Sequence, residues 1–127
     1  MDSRVRTLYK IDPQLAAPAQ ARRIIAEELS SRLSDRMLND VKLMVSELVA
    51  DGVVHGSLPD SGPVMLDLVV NHEIRCRVLN HGPGFARRVE RARRHGWGMR
   101  VVEQLSDRWG MQSSSQRTEV WFERHCA

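Results

Sequence analysis

The chain has 127 residues, 42% hydrophobic and 28% charged, enough for one compact domain with a core and too few for two of ordinary size. That mix excludes a disordered tail, no apolar run approaches bilayer length, and the start MDSRVRTLYKID lacks a signal peptide's apolar centre, so a single cytoplasmic domain over 1–127 with no membrane contact is expected. A formal net charge of +3 permits nucleic-acid binding without demanding it, and two cysteines, Cys76 and Cys126, outside any Cys/His cluster, give neither a disulfide scaffold nor a zinc site.

In chain order, VRTLYKI (Val5 to Ile11) reads as a first strand closed by Asp12-Pro13, because a residue before proline is pushed away from helix. Ala21, Ile24, Ile25, Leu29 and Leu33 recur at three- and four-residue steps and predict a helix from Ala17 to Leu33. Ser34 is a suitable N-cap for a second helix to about His55, with Met37, Val41, Met44, Val45, Leu48 and Gly52 as its core stripe. After the loop SLPDSGP, Val64 to Val70 and Glu73 to Asn80 read as a hairpin turning at Asn71-His72. Ile74, Cys76 and Val78 alternate with Glu73, Arg75 and Arg77, so one face of that strand is core and the other wet. An arginine-rich segment, Gly82 to Gly98, leads into a third helix through about Leu105, and strands at about Arg108 to Gln112 and Thr118 to Arg124 close the chain. Helices and strands do not alternate as a parallel wound sheet requires. The predicted class is therefore α+β, a two-layer sandwich with a mostly antiparallel sheet covered on one face by about three helices. Met37, Met44 and Met65 read as core fillers.

Three places carry candidate chemistry. Glu47 and Asp51, four residues apart, project from the second helix only some 40 degrees apart with Cβ atoms about 5 to 6 Å from each other. Two carboxylates so placed repel, and either a hydrated Mg²⁺ or solvent and a pairing cation such as Lys42 would compensate. Asn80-His81-Gly82-Pro83-Gly84-Phe85 follows a strand: Gly82 and Gly84 allow a sharp turn and close approach to a ligand, and Asn80 offers both a donor and an acceptor. Gly96-Trp97-Gly98-Met99 opens a helix, whose unpaired N–H groups and positive dipole end suit a phosphate. The run RRVERARR, Arg87 to Arg94, could meet phosphates, an acidic partner or solvent, with nucleic acid the least expected.

Taken in order, these boxes resemble those of the Bergerat-fold (GHKL) ATPases, the superfamily of gyrase, heat-shock chaperones, histidine kinases and MutL. Within it the chain looks most like the small anti-sigma factor kinases of bacterial partner-switching systems. A box of the form E-L-x-x-N-A-x-x-H-G is matched by Glu47-Leu48-Val49-Ala50-Asp51-Gly52-Val53-Val54-His55-Gly56. D-x-G-P-G-F is matched by Asn80 to Phe85, and G-x-G-L-x-L-V by Gly96 to Val102.

The resemblance implies an ATP-binding anti-sigma factor with serine/threonine kinase activity toward an anti-anti-sigma (STAS-type) partner, a sigma factor as a second partner, and a homodimer. It implies Glu47 as general base, Asp51 as the Mg²⁺ ligand, Asn80 and Thr118 at the base, and Gly82, Gly84, Gly96, Gly98 and the amide of Met99 at the lid and phosphates. Two departures are reciprocal: Asp51 stands where the family has asparagine and Asn80 where it has aspartate, and Arg117 replaces the glycine before the strand threonine. Asp51 adds negative charge beside Glu47, and Asn80 can accept from adenine or donate to guanine, so the base stays open. The alternative is a degenerate module that sequesters a sigma factor or partner with little nucleotide turnover.

Overall fold

In the computed structural model, residues 5–56, 63–81, 98–113 and 117–126 are described; for Val5, 51–56, His81, Gly98, Met99 and Ser113 this covers the backbone alone. The element order is β1 (Val5–Ile11), α1 (Ala17–Leu29), α2 (Asp35–Gly56), β2 (Val64–Val70), β3 (Glu73–His81), α3 (Gly98–Leu105), β4 (Arg108–Ser113) and β5 (Arg117–His125). The strands form one antiparallel sheet in the order β1-β2-β3-β5-β4. Three helices among the described residues complete the α+β fold expected above.

Local chemistry sets the element ends. Pro18 stands in the first turn of α1, where its missing N–H costs nothing. The Ser34 hydroxyl accepts the Met37 amide at 3.2 Å, the N-cap read from the sequence, and Asp35 adds a carboxylate at the positive end of α2. In the hairpin, the Asn71 side chain accepts the Glu73 amide at 3.1 Å, a local bond that turns the backbone without glycine.

One boundary differs from expectation: α1 stops at Leu29, four residues before Leu33. Arg32 and Leu33 both direct their amides to the Leu29 carbonyl, so the chain tightens into a turn. Leu33 still packs against the core from that turn, so its apolar signal is real although its helical one is not.

Period-two alternation divides the sheet. On the helix side, Leu66 pairs with Val78, which pairs with Val120, and Leu68 pairs with Cys76, which pairs with Phe122. All six are buried and meet Ile25, Leu29, Val41, Met44, Val45 and Leu48 from α1 and α2. Burial raises the Cys76 thiol well above its ordinary range, so it packs as a small apolar group. α2 lies on β3 and contacts both α1 and α3.

The other face carries ion pairs whose acids lie beneath their arginines. Asp67, 2% exposed, accepts Arg77 Nε at 2.9 Å and Arg6 Nη2 at 3.4 Å, while Arg77 Nη1 reaches Glu119 at 2.9 Å. Glu123 pairs with Arg75 and Arg108. A shallow cavity of about 240 Å³ opens here, lined by Leu8, Met65, Leu79 and this pair network. Met65, expected in the core, instead faces this side, because the alternation along β2 places its neighbours Val64 and Leu66 inward.

No helix among the described residues is long and apolar enough to cross a membrane.

Gly110 lies under Trp121: a Cβ there would stand 2.6 Å from the indole, whose ring is held by the Arg75 guanidinium 5.3 Å from its centroid. Gly110→Ala should destabilise the fold by about 1–3 kcal/mol in denaturant titration, an overpacking cost; an unchanged midpoint would show the ring free to move.

The Tyr9 hydroxyl donates to the Glu28 carboxylate, tying β1 to α1. Burial, then Glu28, pushes the phenol from 10.0 up to about 12. A pKa raised on folding stabilises fully below the unfolded value, and that stabilisation is lost as pH climbs from about 10 toward 12. Between about pH 9 and pH 11 the wild type should therefore lose more Tm than Tyr9→Phe, and equal losses would contradict the assignment.

Candidate functional site

The helix-facing side of the sheet is apolar along its middle and polar at one end. Asn80 in β3 pairs directly with Thr118 in β5, next along the row that contains Val78 and Val120. Asn80 is 2% exposed and Thr118 is fully buried. Among the described residues the Thr118 hydroxyl has no hydrogen-bond partner. A buried hydroxyl left unpaired costs on the order of 1–3 kcal/mol, so evolution toward stability alone would favour valine here.

Two anchors orient α2 over this end. At the far end of β5, Arg124 Nη2 lies 3.5 Å from Asp40 in the first half of α2. Thr118 is about 20 Å from Arg124 along the strand, and Glu47 is about 10 Å beyond Asp40 along the helix. The chain then leaves α2 at Gly56 and re-enters the sheet at Val64, which opposes Ile11 at the polar end. The C-terminal half of α2 thus runs toward Asn80 and Thr118.

Glu47 is half-buried, while its neighbours Ser46, Leu48 and Val49 are buried. Asp51 follows one turn later in the same helix, so the two positions share an edge; its side chain lies outside the described residues. Gly98 is the first residue of α3 and Met99 the second, which puts both backbone positions in the first turn, at the positive end of the helix dipole. Gly82, Gly84, Gly96 and the arginines from Arg87 to Arg94 lie outside the described residues.

Two residues of consequence escape the motif reading. Arg124 bonds the carbonyl of Leu105, the last residue of α3, as well as approaching Asp40 of α2. A signal for it exists: after Val120 and Phe122 the inward positions of β5 reach a cation, a break in the apolar alternation. Asp40 carries no such mark.

The chemistry of this donor set is specific. Asn80 supplies a donor and an acceptor, Thr118 a hydroxyl that can act as either, and Glu47 an acceptor or proton acceptor. A flat polar ligand edge against Asn80 and Thr118, with anionic groups toward the start of α3, fits these groups. Oxygen ligands at 47 and 51 also suit a hard cation such as Mg²⁺.

Comparison with known proteins identifies the family and the fold. A profile described as a histidine kinase-like ATPase domain matches residues 11–124, nearly the whole chain. Among solved structures, the RsbU and RsbW domains of Rv1364c from Mycobacterium tuberculosis match with a TM-score of 0.77 and 18% identity, over 95% of this chain and 32% of that one. The chain thus spans about a third of the length of that structure. No curated protein matches.

Replacing the orphaned hydroxyl isolates its cost. Thr118→Val should leave Tm unchanged or raise it by a few degrees, a gain of about 0–2 kcal/mol. A drop of comparable size in a thermal melt would mean that the hydroxyl is bonded in the folded chain.

Proposed function

The chain belongs to the family of histidine kinase-like ATPase domains, and from that membership we propose that it is an ATP-binding anti-sigma factor. Its activity is that of a serine/threonine protein kinase toward an anti-anti-sigma partner of the STAS type, and it regulates transcription by partner switching. The observation that carries the reading is the buried Asn80–Thr118 pair at the end of the apolar row that Val78 and Val120 continue, with the Thr118 hydroxyl left without a bond among the described residues.

On this reading Asn80 and Thr118 take the nucleobase edge between β3 and β5. The amides of Gly98 and Met99 at the start of α3 take phosphate oxygens, as an N-terminal helix turn does for anions generally. Glu47 accepts the proton from the partner's serine hydroxyl, and Asp51 holds Mg²⁺ one turn along the same helix edge. The ion, when bound, neutralises charge on the transferring phosphoryl group. Its charge also offsets the repulsion between the carboxylates of Glu47 and Asp51. Positioning and electrostatics, rather than covalent chemistry by the protein, carry such a transfer.

A second reading rests on a specific feature of the sequence. Asp51 for asparagine and Asn80 for aspartate both alter groups that would touch ligand, and a module that sequesters a sigma factor without turnover would tolerate both.

Calorimetry with ATP and ADP, with and without Mg²⁺, separates the two. The kinase reading expects binding that tightens with Mg²⁺, phosphoserine on a STAS-type partner, and a loss of about 10²–10⁴ in rate for Glu47→Gln with binding retained. Nucleotide binding without transfer supports the sequestering module. A fully active Glu47→Gln variant overturns the assigned base.

A further inference from the structure

Arg124 occupies a position that the proposed chemistry does not use. It pairs with Ile74 across β3 and so stands on the helix-facing side of the sheet, at the end opposite Thr118. Its guanidinium donates to the carbonyl of Leu105, where α3 ends, and lies 3.5 Å from the Asp40 carboxylate of α2. One planar cation therefore joins the negative end of α3, an acid of α2 and the sheet.

The neighbouring bonds fix the same corner. The Asp107 amide donates to the Glu123 carbonyl at 2.8 Å, and the Asp107 carboxylate accepts the His125 amide at 2.6 Å. Ser106 donates both its amide, at 2.9 Å, and its hydroxyl, at 2.5 Å, to the Val102 carbonyl. α3 is thus held at its C-terminal end, and Gly98 stands about 10 Å from that anchor, the same reach that separates Glu47 from Asp40 on α2.

We propose that Arg124 is a positioning residue that sets the spacing of α3 from α2, and through it the fit of the ligand's phosphates between Gly98 and Glu47. The inference rests on the nucleotide reading above. A pivot acts at the far end of both levers: a small tilt at Leu105 becomes a displacement of the amides at Gly98, while the Asn80–Thr118 pair, held by sheet hydrogen bonds, stays in place. Phosphate recognition then depends on Arg124 and base recognition does not.

The test compares Mg-ADP with adenosine, which lacks phosphates, by calorimetry on the wild type, Arg124→Ala, Arg124→Lys and Asp40→Asn, with a thermal melt of each. Arg124→Ala should weaken Mg-ADP by roughly tenfold, in line with the cost of small misplacements in such sites, and leave adenosine within about twofold. Arg124→Lys should recover part of the loss, and Asp40→Asn should fall between. If Arg124→Ala does not fold, the ratio of the two affinities in Arg124→Lys and Asp40→Asn decides. A lowered Tm with an unchanged ratio overturns the proposal and leaves a structural arginine. Failure of the wild type to bind either compound overturns the nucleotide reading itself, and this inference with it.

Discussion

The pairing register of β3 with β5 is the constraint on which the rest depends. Because side chains alternate strictly, setting Val78 against Val120 and Cys76 against Phe122 leaves no choice for the next inward pair, which must be Asn80 and Thr118. A slip by one residue would send either Arg75 and Arg77 of β3 or Glu119 and Glu123 of β5 into the core and would be far too costly to populate. The energy that fixes the site is therefore spent in the middle of the sheet, on apolar packing under α2. The polar pair is carried to its place at the row's end, including a hydroxyl that stability alone would not select.

The two faces of the sheet handle charge differently. On the open face, Asp67, Glu119 and Glu123 are sunk beneath arginines, of which Arg6, Arg75 and Arg108 are exposed and Arg77 is half-buried. The Asp67 hydrogen bond holds the Arg77 guanidinium still more firmly charged than usual. Removing one partner of such a buried pair costs more than the pair contributes, so that network resists change. On the helix face the cation Arg124 serves instead as a junction between elements, at the end away from Asn80 and Thr118. Rigid packing at one end and polar groups at the other is the division of labour that a site on a rigid scaffold needs.

Much of this was legible in the sequence because its signals were strong and independent. Alternation in 73–78, the Ser34 cap, the Asn71-His72 turn and the glycine-led start of α3 each named its element by local chemistry. The class followed from their order, and the match over residues 11–124 confirms the family. What escaped depended on tertiary context. Leu33 keeps the helical spacing but sits in a turn, since its amide goes to the Leu29 carbonyl along with that of Arg32. Met65 is apolar yet sits on the open face because the phase of β2 is set by its neighbours. The Asn80–Thr118 pairing joins residues 38 positions apart in the chain (118 − 80), a register no local pattern encodes, and the same holds for Arg124 meeting both Leu105 and Asp40.

The central claim is that the turn at Glu47, the Asn80–Thr118 pair and the start of α3 surround a single bound nucleotide. Amide chemical-shift perturbation on titration with a non-hydrolysable ATP analogue and Mg²⁺ tests it most directly. Signals of Glu47, Asn80, Thr118 and Met99 should shift together along one saturation curve while those of Asp67 and Arg77 on the open face stay still. Saturable shifts confined to the open face, with Asn80 and Thr118 unmoved, would contradict it.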